Sequence, residues 1–268
     1  MIHLLALLLY SVAFLLWLRG LARGARGIAS SGATWVAVAG LAVHAAALAL
    51  YAGRFGELPL VGLAPSLSTL AFMTALGVVA SLGLREASRV GIVLMPLVLA
   101  MEGAAVVMGV RPAPGALDFR GAWLAFHVTL AFAGIVGMAV SGAAGTLYLF
   151  QFREIKRKRM GRAFHFLPPL ATLDRLGRIA AVAGFILLSL SLVLGWAWTV
   201  RFRNSLQGQD PKILWAVFVW SVILAALVVR RVGRGERAAA LASSVGFGLI
   251  LASYLATRAF AGFGAFFL

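Results

Sequence analysis

Three histidines and one glutamate carry most of the chemistry this sequence could perform. His3 and His44 lie at the end of, or inside, long apolar runs, Glu102 lies inside another, and His127 opens a fourth. Imidazole nitrogens ligate iron and other transition metals, and a carboxylate at membrane depth is either protonated or paired. Ionisable side chains are costly in hydrocarbon, so they face the bundle and usually act there. Each also has a plainer reading. His44 hydrogen-bonds a neighbouring helix, His127 is interfacial beside Trp123, and His3 is interfacial at its helix end. Glu102, about eight residues or some 12 Å below the outer end of its run, pairs with an arginine, lines a polar cavity, or stays neutral with a hydrogen bond. The fourth histidine, His165, falls in a wet basic segment and is expected to have no specific role.

A second constellation lies in GWAWTVRFRNSLQGQDPKILW, residues 195 to 215, where Trp196, Trp198 and Trp215 surround Arg201, Arg203 and Lys212, and Trp220 follows. Tryptophan belts at membrane interfaces are common, and such a loop can simply anchor two helices. The interleaved cations add a second reading. Indole faces beside positive charges suit a flat aromatic ligand bearing carboxylates, and haem has that description. Asp210 and Pro211 form a corner in which Asp210 caps a helix that Pro211 begins.

These residues need a scaffold, and the composition dictates which kind. Of the 268 residues 62% are apolar and 12% charged, far from a soluble domain. Apolar runs long enough to cross a bilayer fall near 2–18, 34–51, 66–84, 90–110, 122–150, 177–199, 213–229 and 238–257. They are continuous rather than alternating, which argues against a β-barrel. The expectation is an all-α polytopic membrane helix bundle with eight transmembrane helices and a single membrane domain over 1–268. The first run has no basic residue ahead of it and is read as a retained helix rather than a signal peptide. Small residues in GIVGMAVSGAAG, 134 to 145, are read as helix-packing sites.

Basic residues orient the bundle. Arg19, Arg23 and Arg26, then Arg85 and Arg89, the QFREIKRKRMGR segment with Arg175 and Arg178, and Arg230, Arg231, Arg234 and Arg237 fall in alternate connections. The positive-inside rule makes those cytoplasmic, with both termini outside. His3, His44 and His127 then share the outer side. A net charge of +16 spread over short juxtamembrane loops suits anionic lipid and not nucleic acid. Zero cysteines exclude disulfides, thiolate metal sites and a c-type haem attached to this chain. No catalytic residue stands out, so whether the chain is an enzyme is left open, leaning against.

The order WLAFHVTLAF, LYLFQ, a KRKR loop, LATLDRLGRIAAVAGF, LGWAW, DPKILWAVFVW and RRVGRGERAAALASSVGF resembles the cytochrome c assembly protein family, its eight-helix HemX/YpjD-like branch in particular, related to the CcsA and CcmC haem-handling proteins. The resemblance covers about 120–258. Residues 1–119, a variable four-helix half, match only in number and length of helices. It implies a tryptophan-rich outer loop flanked by two outer histidines that act as axial haem ligands. His127 matches the first of these, and Asp210, Pro211, Lys212, Trp215 and Trp220 match the loop and the helix after it.

The sequence also departs from the family. Gln209 stands where Trp usually precedes the Asp, Ile213 stands where Glu follows the Lys, and the closing segment RAFAGFGAFFL holds no second histidine. The expectation is therefore that His127 is one haem ligand and His44 or His3 the other, with His127 and His44 the iron-binding pair preferred. What the resemblance implies is a haem-binding or haem-presenting protein at the outer face of the bacterial cytoplasmic membrane. Haem, a second membrane protein of cytochrome c assembly and apocytochrome c are its implied partners. The alternative is an accessory or regulatory membrane protein of haem metabolism with no haem site. A proton-coupled transporter using Glu102 and His44 follows from the intramembrane ionisable residues alone, without an inverted repeat to strengthen it.

Overall fold

The computed structural model describes residues 1–23, 28–81, 87–112, 121–158, 161–203, 211–232 and 235–260, and among them there are helices and no strands. The helices are α1 (Ile2–Arg23), α2 (Ile28–Phe55), α3 (Leu63–Ala80), α4 (Gly91–Met108), α5 (Ala122–Lys156), α6 (Arg162–Phe166), α7 (Leu170–Arg203), α8 (Pro211–Arg231) and α9 (Glu236–Phe260), with a short 3₁₀ turn, Ala87–Val90, ahead of α4. The eight apolar runs coincide with α1 to α5 and α7 to α9. Seven of the described helices, α1 to α5, α7 and α8, are long and apolar enough to cross a membrane. The protein is a multi-pass membrane helix bundle.

Helical periodicity selects the buried faces. Along α1 the buried residues are Ala6, Tyr10, Ala13, Trp17 and Gly20, a stripe spaced alternately by four and three positions. His3 continues that stripe toward the N-terminus. In α4 the corresponding stripe is Gly91, Leu94, Met95, Val98, Met101, Glu102 and Ala105, so the carboxylate stands on the face that packs inward. α5 is buried almost all round over 134 to 148, because α3, α7 and α9 pack against it.

Association of helices in lipid relies on close packing, since the surrounding chains are as apolar as the side chains. α5 and α7 form the most extensive pair. A Cβ on Gly137 would lie 2.6 Å from the Gly184 Cα and 2.8 Å from the Ala180 carbonyl oxygen, and one on Gly145 would meet the Ala240 carbonyl of α9. The GIVGMAVSGAAG segment thus brings α7 and α9 to backbone contact with α5. In the first half, Gly40 admits the Tyr10 ring between α1 and α2, and Gly91 admits the Trp17 indole between α1 and α4.

The basic connection between α5 and α7 is not a uniformly wet loop. Its short helix α6 and the residue that follows insert Phe166 and Leu167 into the main core. Arg89, which the basic-residue pattern assigns to a cytoplasmic connection, is buried beneath this helix, donating to the Phe166 carbonyl with its guanidinium over the Phe166 ring. His165 remains exposed. Nearby, Arg230 of α8 pairs with Asp174 of α7, and the Tyr148 hydroxyl donates to Glu236 of α9 at 3.1 Å, tying helix ends on that side.

Candidate functional site

The buried stripes of α1 and α4, with α2 and α3, converge on a polar cluster. His3 Nδ1–H donates to Glu102 Oε1 at 2.8 Å, and His44 Nε2 lies 3.2 Å from Glu102 Oε2. Ser68 Oγ of α3 stands between the rings, 2.9 Å from His44 Nε2 and 3.4 Å from His3 Nδ1. On the far side of the second ring the Tyr10 hydroxyl is 3.3 Å from His44 Nδ1. His44 and Glu102 have no exposed surface, and His3 is about one-fifth exposed. The rings of His3 and His44 meet edge to face at 5.7 Å, with Phe72 against His44 at 5.5 Å. Glu102 is thus paired with two histidines rather than an arginine, the arrangement a low-dielectric interior requires of a carboxylate.

His127 belongs to a different setting, on the seam between the start of α5 and the end of α7. Its Nδ1 lies 2.9 Å from the Ser191 carbonyl oxygen and 3.1 Å from Ser191 Oγ, and Ser191 Oγ–H donates to the His127 carbonyl at 2.9 Å. A carbonyl only accepts, so Nδ1 carries the proton and the Nε2 lone pair is left for another partner. Gly195, one turn further along α7, makes room for the ring: a Cβ there would lie 2.7 Å from His127 Cε1. Trp123 Nε1–H donates to the Leu194 carbonyl at 3.0 Å, pinning the same two helix ends.

The structure brings His3 and His44 together with Glu102, and their bonds run to α1, α3 and α4, whereas those of His127 run to α7. Of the loop constellation, Trp196 projects from α7 with 58% of its surface exposed, Trp198 is half-buried, and Arg201 is exposed. Trp215 Nε1–H donates to Ser253 Oγ of α9 at 3.2 Å, and Trp220 Nε1–H to Ser189 Oγ of α7 at 2.9 Å. Asp210 lies outside the described residues, as do the side chains of Arg203 and Lys212; α8 begins at Pro211, where the Asp-Pro corner predicts a helix start.

Tyr10, Ser68 and Ser191, which complete the two settings, were not singled out from the sequence. Tyr10 carries a usable signal, because it stands seven positions, two helical turns, after His3 on the same face. The two serines have no such mark among many.

The model of the cytochrome C assembly protein family matches residues 1–263. The chain belongs to the cytochrome c assembly protein family. That match takes in α1 to α4 as well as the segment from 120 to 258, so the half holding His3, His44 and Glu102 is family sequence too. Among individual proteins the chain is similar to Protein HemX of Bacillus subtilis (strain 168), 27% identical over 132 residues, 49% of this chain and 48% of that one. It is also similar to two proteins named Cytochrome c biogenesis protein CcsA. That of Guillardia theta is 27% identical over 162 residues, 54% of each chain, and that of Synechococcus elongatus is 34% identical over 86 residues, 31% of this chain and 26% of the other. The chain spans about half or less of the length of the curated relatives it matches.

Whether the residues fit haem can be judged on the seam itself. A haem-ligating histidine presents one ring nitrogen to the iron while the other is held by a hydrogen bond. His127 meets both conditions on its own. A partner histidine does not stand with it among the described residues, since His44 has contacts at both nitrogens and His3 donates to Glu102. The fit is to one axial ligand.

Proposed function

We propose that this membrane protein binds haem at the outer face of the bacterial cytoplasmic membrane and presents it for cytochrome c biogenesis, with His127 as an axial ligand. The observation that carries the reading is the Ser191 carbonyl on His127 Nδ1, which fixes the tautomer and turn of the ring and leaves Nε2 for iron. In the eight-span, N-out and C-out arrangement that the basic loops favour, the start of α5 and the ends of α7 and α9 lie on the outer side, with α9 as the eighth crossing. Trp196 and Trp198 then supply apolar faces beside the iron ligand and Arg201 a cation for a propionate, with Arg203, Lys212, Asp210 and Trp215 the further candidates that the sequence offers.

Haem supplies the iron and the vinyl groups that an apocytochrome's thiols attack. The protein's own part is to hold the iron nitrogen, orient the ring and limit access of water and oxidants. A second membrane protein of cytochrome c assembly and apocytochrome c are the partners in this reading, and anionic lipid neutralises the basic cytoplasmic loops.

The test is an absorbance spectrum of the full chain purified in detergent from haem-replete membranes. A Soret band that His127→Ala abolishes, and His44→Ala leaves in place, is the expected result. Absence of the band in the wild type, or its persistence in His127→Ala, overturns the reading. One observation favours a second reading, an accessory or regulatory protein of haem metabolism without a haem site: His3 and His44 are already bonded within the bundle and give His127 no second histidine. A deletion strain separates the two. Apocytochrome without haem indicates assembly, whereas altered total haem with normal attachment indicates regulation.

A further inference from the structure

The cluster of α1, α2 and α4 is used by nothing in the haem reading. We propose that His3, His44 and Glu102 form a binding site for one divalent transition-metal ion, of the class of Zn2+, Fe2+ or Co2+.

The donor set selects the class of ion. Two imidazole nitrogens and one carboxylate suit first-row divalent ions; Mg2+ and Ca2+ prefer all-oxygen cages, and Cu+ prefers thiolates or thioethers. The ligand atoms all lie within 4.8 Å of one another, and the two nitrogen–oxygen separations are 2.8 and 3.2 Å. Two neighbouring ligands each about 2.0–2.1 Å from one ion stand roughly 3 Å apart, so both nitrogen–oxygen pairs are at that spacing, and the wider separations in the set close when an ion enters.

A second observation points to a missing partner. Glu102 Oε2 is fully buried and has no hydrogen-bond partner, although His44 Nε2 is 3.2 Å away. Buried carboxylate oxygens are almost always satisfied. An ion between Oε2, His44 Nε2 and His3 Nδ1 supplies what the histidine does not. The surroundings fit the same role: with Nε2 on the ion, His44 Nδ1–H donates to the Tyr10 oxygen, the outer contact that orients a metal-bound imidazole. Ser68 Oγ, within 2.9 Å of one ring nitrogen and 3.4 Å of the other, is placed to ligate or to hold a bound water.

Size decides between a bare ion and haem here. His44 and Glu102 have no accessible surface, so a porphyrin cannot reach them, whereas an ion needs only the space between the donors. His3, one-fifth exposed at the start of α1, provides the way in. On binding, the His3 Nδ1–H bond to Glu102 gives way to a metal–nitrogen bond, and the ring carries its proton on Nε2 instead.

The test uses the full chain in detergent, purified without a histidine tag, stripped with chelator and titrated with Co2+. The expected result is a saturable visible ligand-field band at one ion per chain, displaced by Zn2+. Affinity should fall about 100-fold or more in Glu102→Gln, on the scale of lost metal-site contacts, and should be unchanged in His165→Ala. Should Glu102→Gln fail to fold, His3→Gln, at a helix end, carries the same comparison. No saturable band, or equal binding by the wild type and either variant, overturns the proposal and leaves the cluster as a hydrogen-bonded or proton-relaying group. The haem reading is tested through His127, so each can fail alone.

Discussion

In the α1–α4 half His44 has contacts at both nitrogens, Tyr10 on one side and Ser68 with Glu102 on the other, and it has no exposed surface. On the α5–α7 seam His127 is half-buried and uses only Nδ1, on a backbone carbonyl. The same residue type is spent in one place and available in the other. Burial explains the difference. In the bundle interior every polar group has to find a partner, so a histidine there is tied to other ionisable side chains. At a helix end, water or ligand can meet the remaining nitrogen, so the protein need hold only one side of the ring. The first setting is suited to a small ion or to stability, the second to a large ligand that arrives from outside.

The largest effect expected from this contrast is on stability. Glu102→Leu removes the carboxylate from the buried His44 and the part-exposed His3, and breaking a buried pair from one side costs about 3–5 kcal/mol. His127→Leu removes one hydrogen bond at a half-buried position, about 1 kcal/mol. Unfolding in a denaturing detergent, followed by circular dichroism, should therefore find Glu102→Leu several-fold more damaging. Equal losses would show that the two environments are energetically alike and would undo the distinction.

A smaller effect separates the halves by packing. Gly137→Ala places a Cβ against the Gly184 and Ala180 backbone, which cannot swing aside as a side chain can. Overpacking of this kind costs about 1–3 kcal/mol. It should splay α5 from α7, weaken haem binding through the displaced Ser191 carbonyl, and leave Co2+ binding at the α1–α4 cluster as in the wild type. Loss of both together would mean that the halves form one cooperative unit.

Most of the scaffold was legible in the sequence because span length is set by bilayer thickness, and apolar runs of that length have few alternatives. The Asp-Pro corner likewise placed the start of α8 at Pro211, and the glycine-rich segment of α5 was readable as a contact surface. The meeting of His3, His44 and Glu102 was not readable, because it depends on the rotation of three helices about their axes. Sequence gives the depth of each residue and the face it shares with its own neighbours. It does not give which faces are turned toward each other. α6 escaped for another reason: five residues are too few for a periodic signal, and the basic residues around Phe166 mask its burial. The burial of Arg89 escaped with it, since an arginine before a helix looks the same in sequence whether it meets water or a carbonyl.

The smallest expected effect lies within the haem-facing half, where the tryptophans divide as the histidines do. Trp123, Trp215 and Trp220 each donate an indole N–H to a neighbouring helix. Trp196 is 58% exposed. Trp220→Phe should cost about 1 kcal/mol of stability through the lost bond to Ser189, with the packing on Phe185 kept and haem affinity unchanged. Trp196→Ala should leave stability nearly intact and weaken haem binding by roughly 2- to 10-fold, the worth of one aromatic contact of about 0.5–1.5 kcal/mol. Haem titration by absorbance resolves a change of that size. If Trp196→Ala binds haem as the wild type does, its ring serves as a membrane-interface anchor, and recognition falls to His127 and the remaining candidates alone.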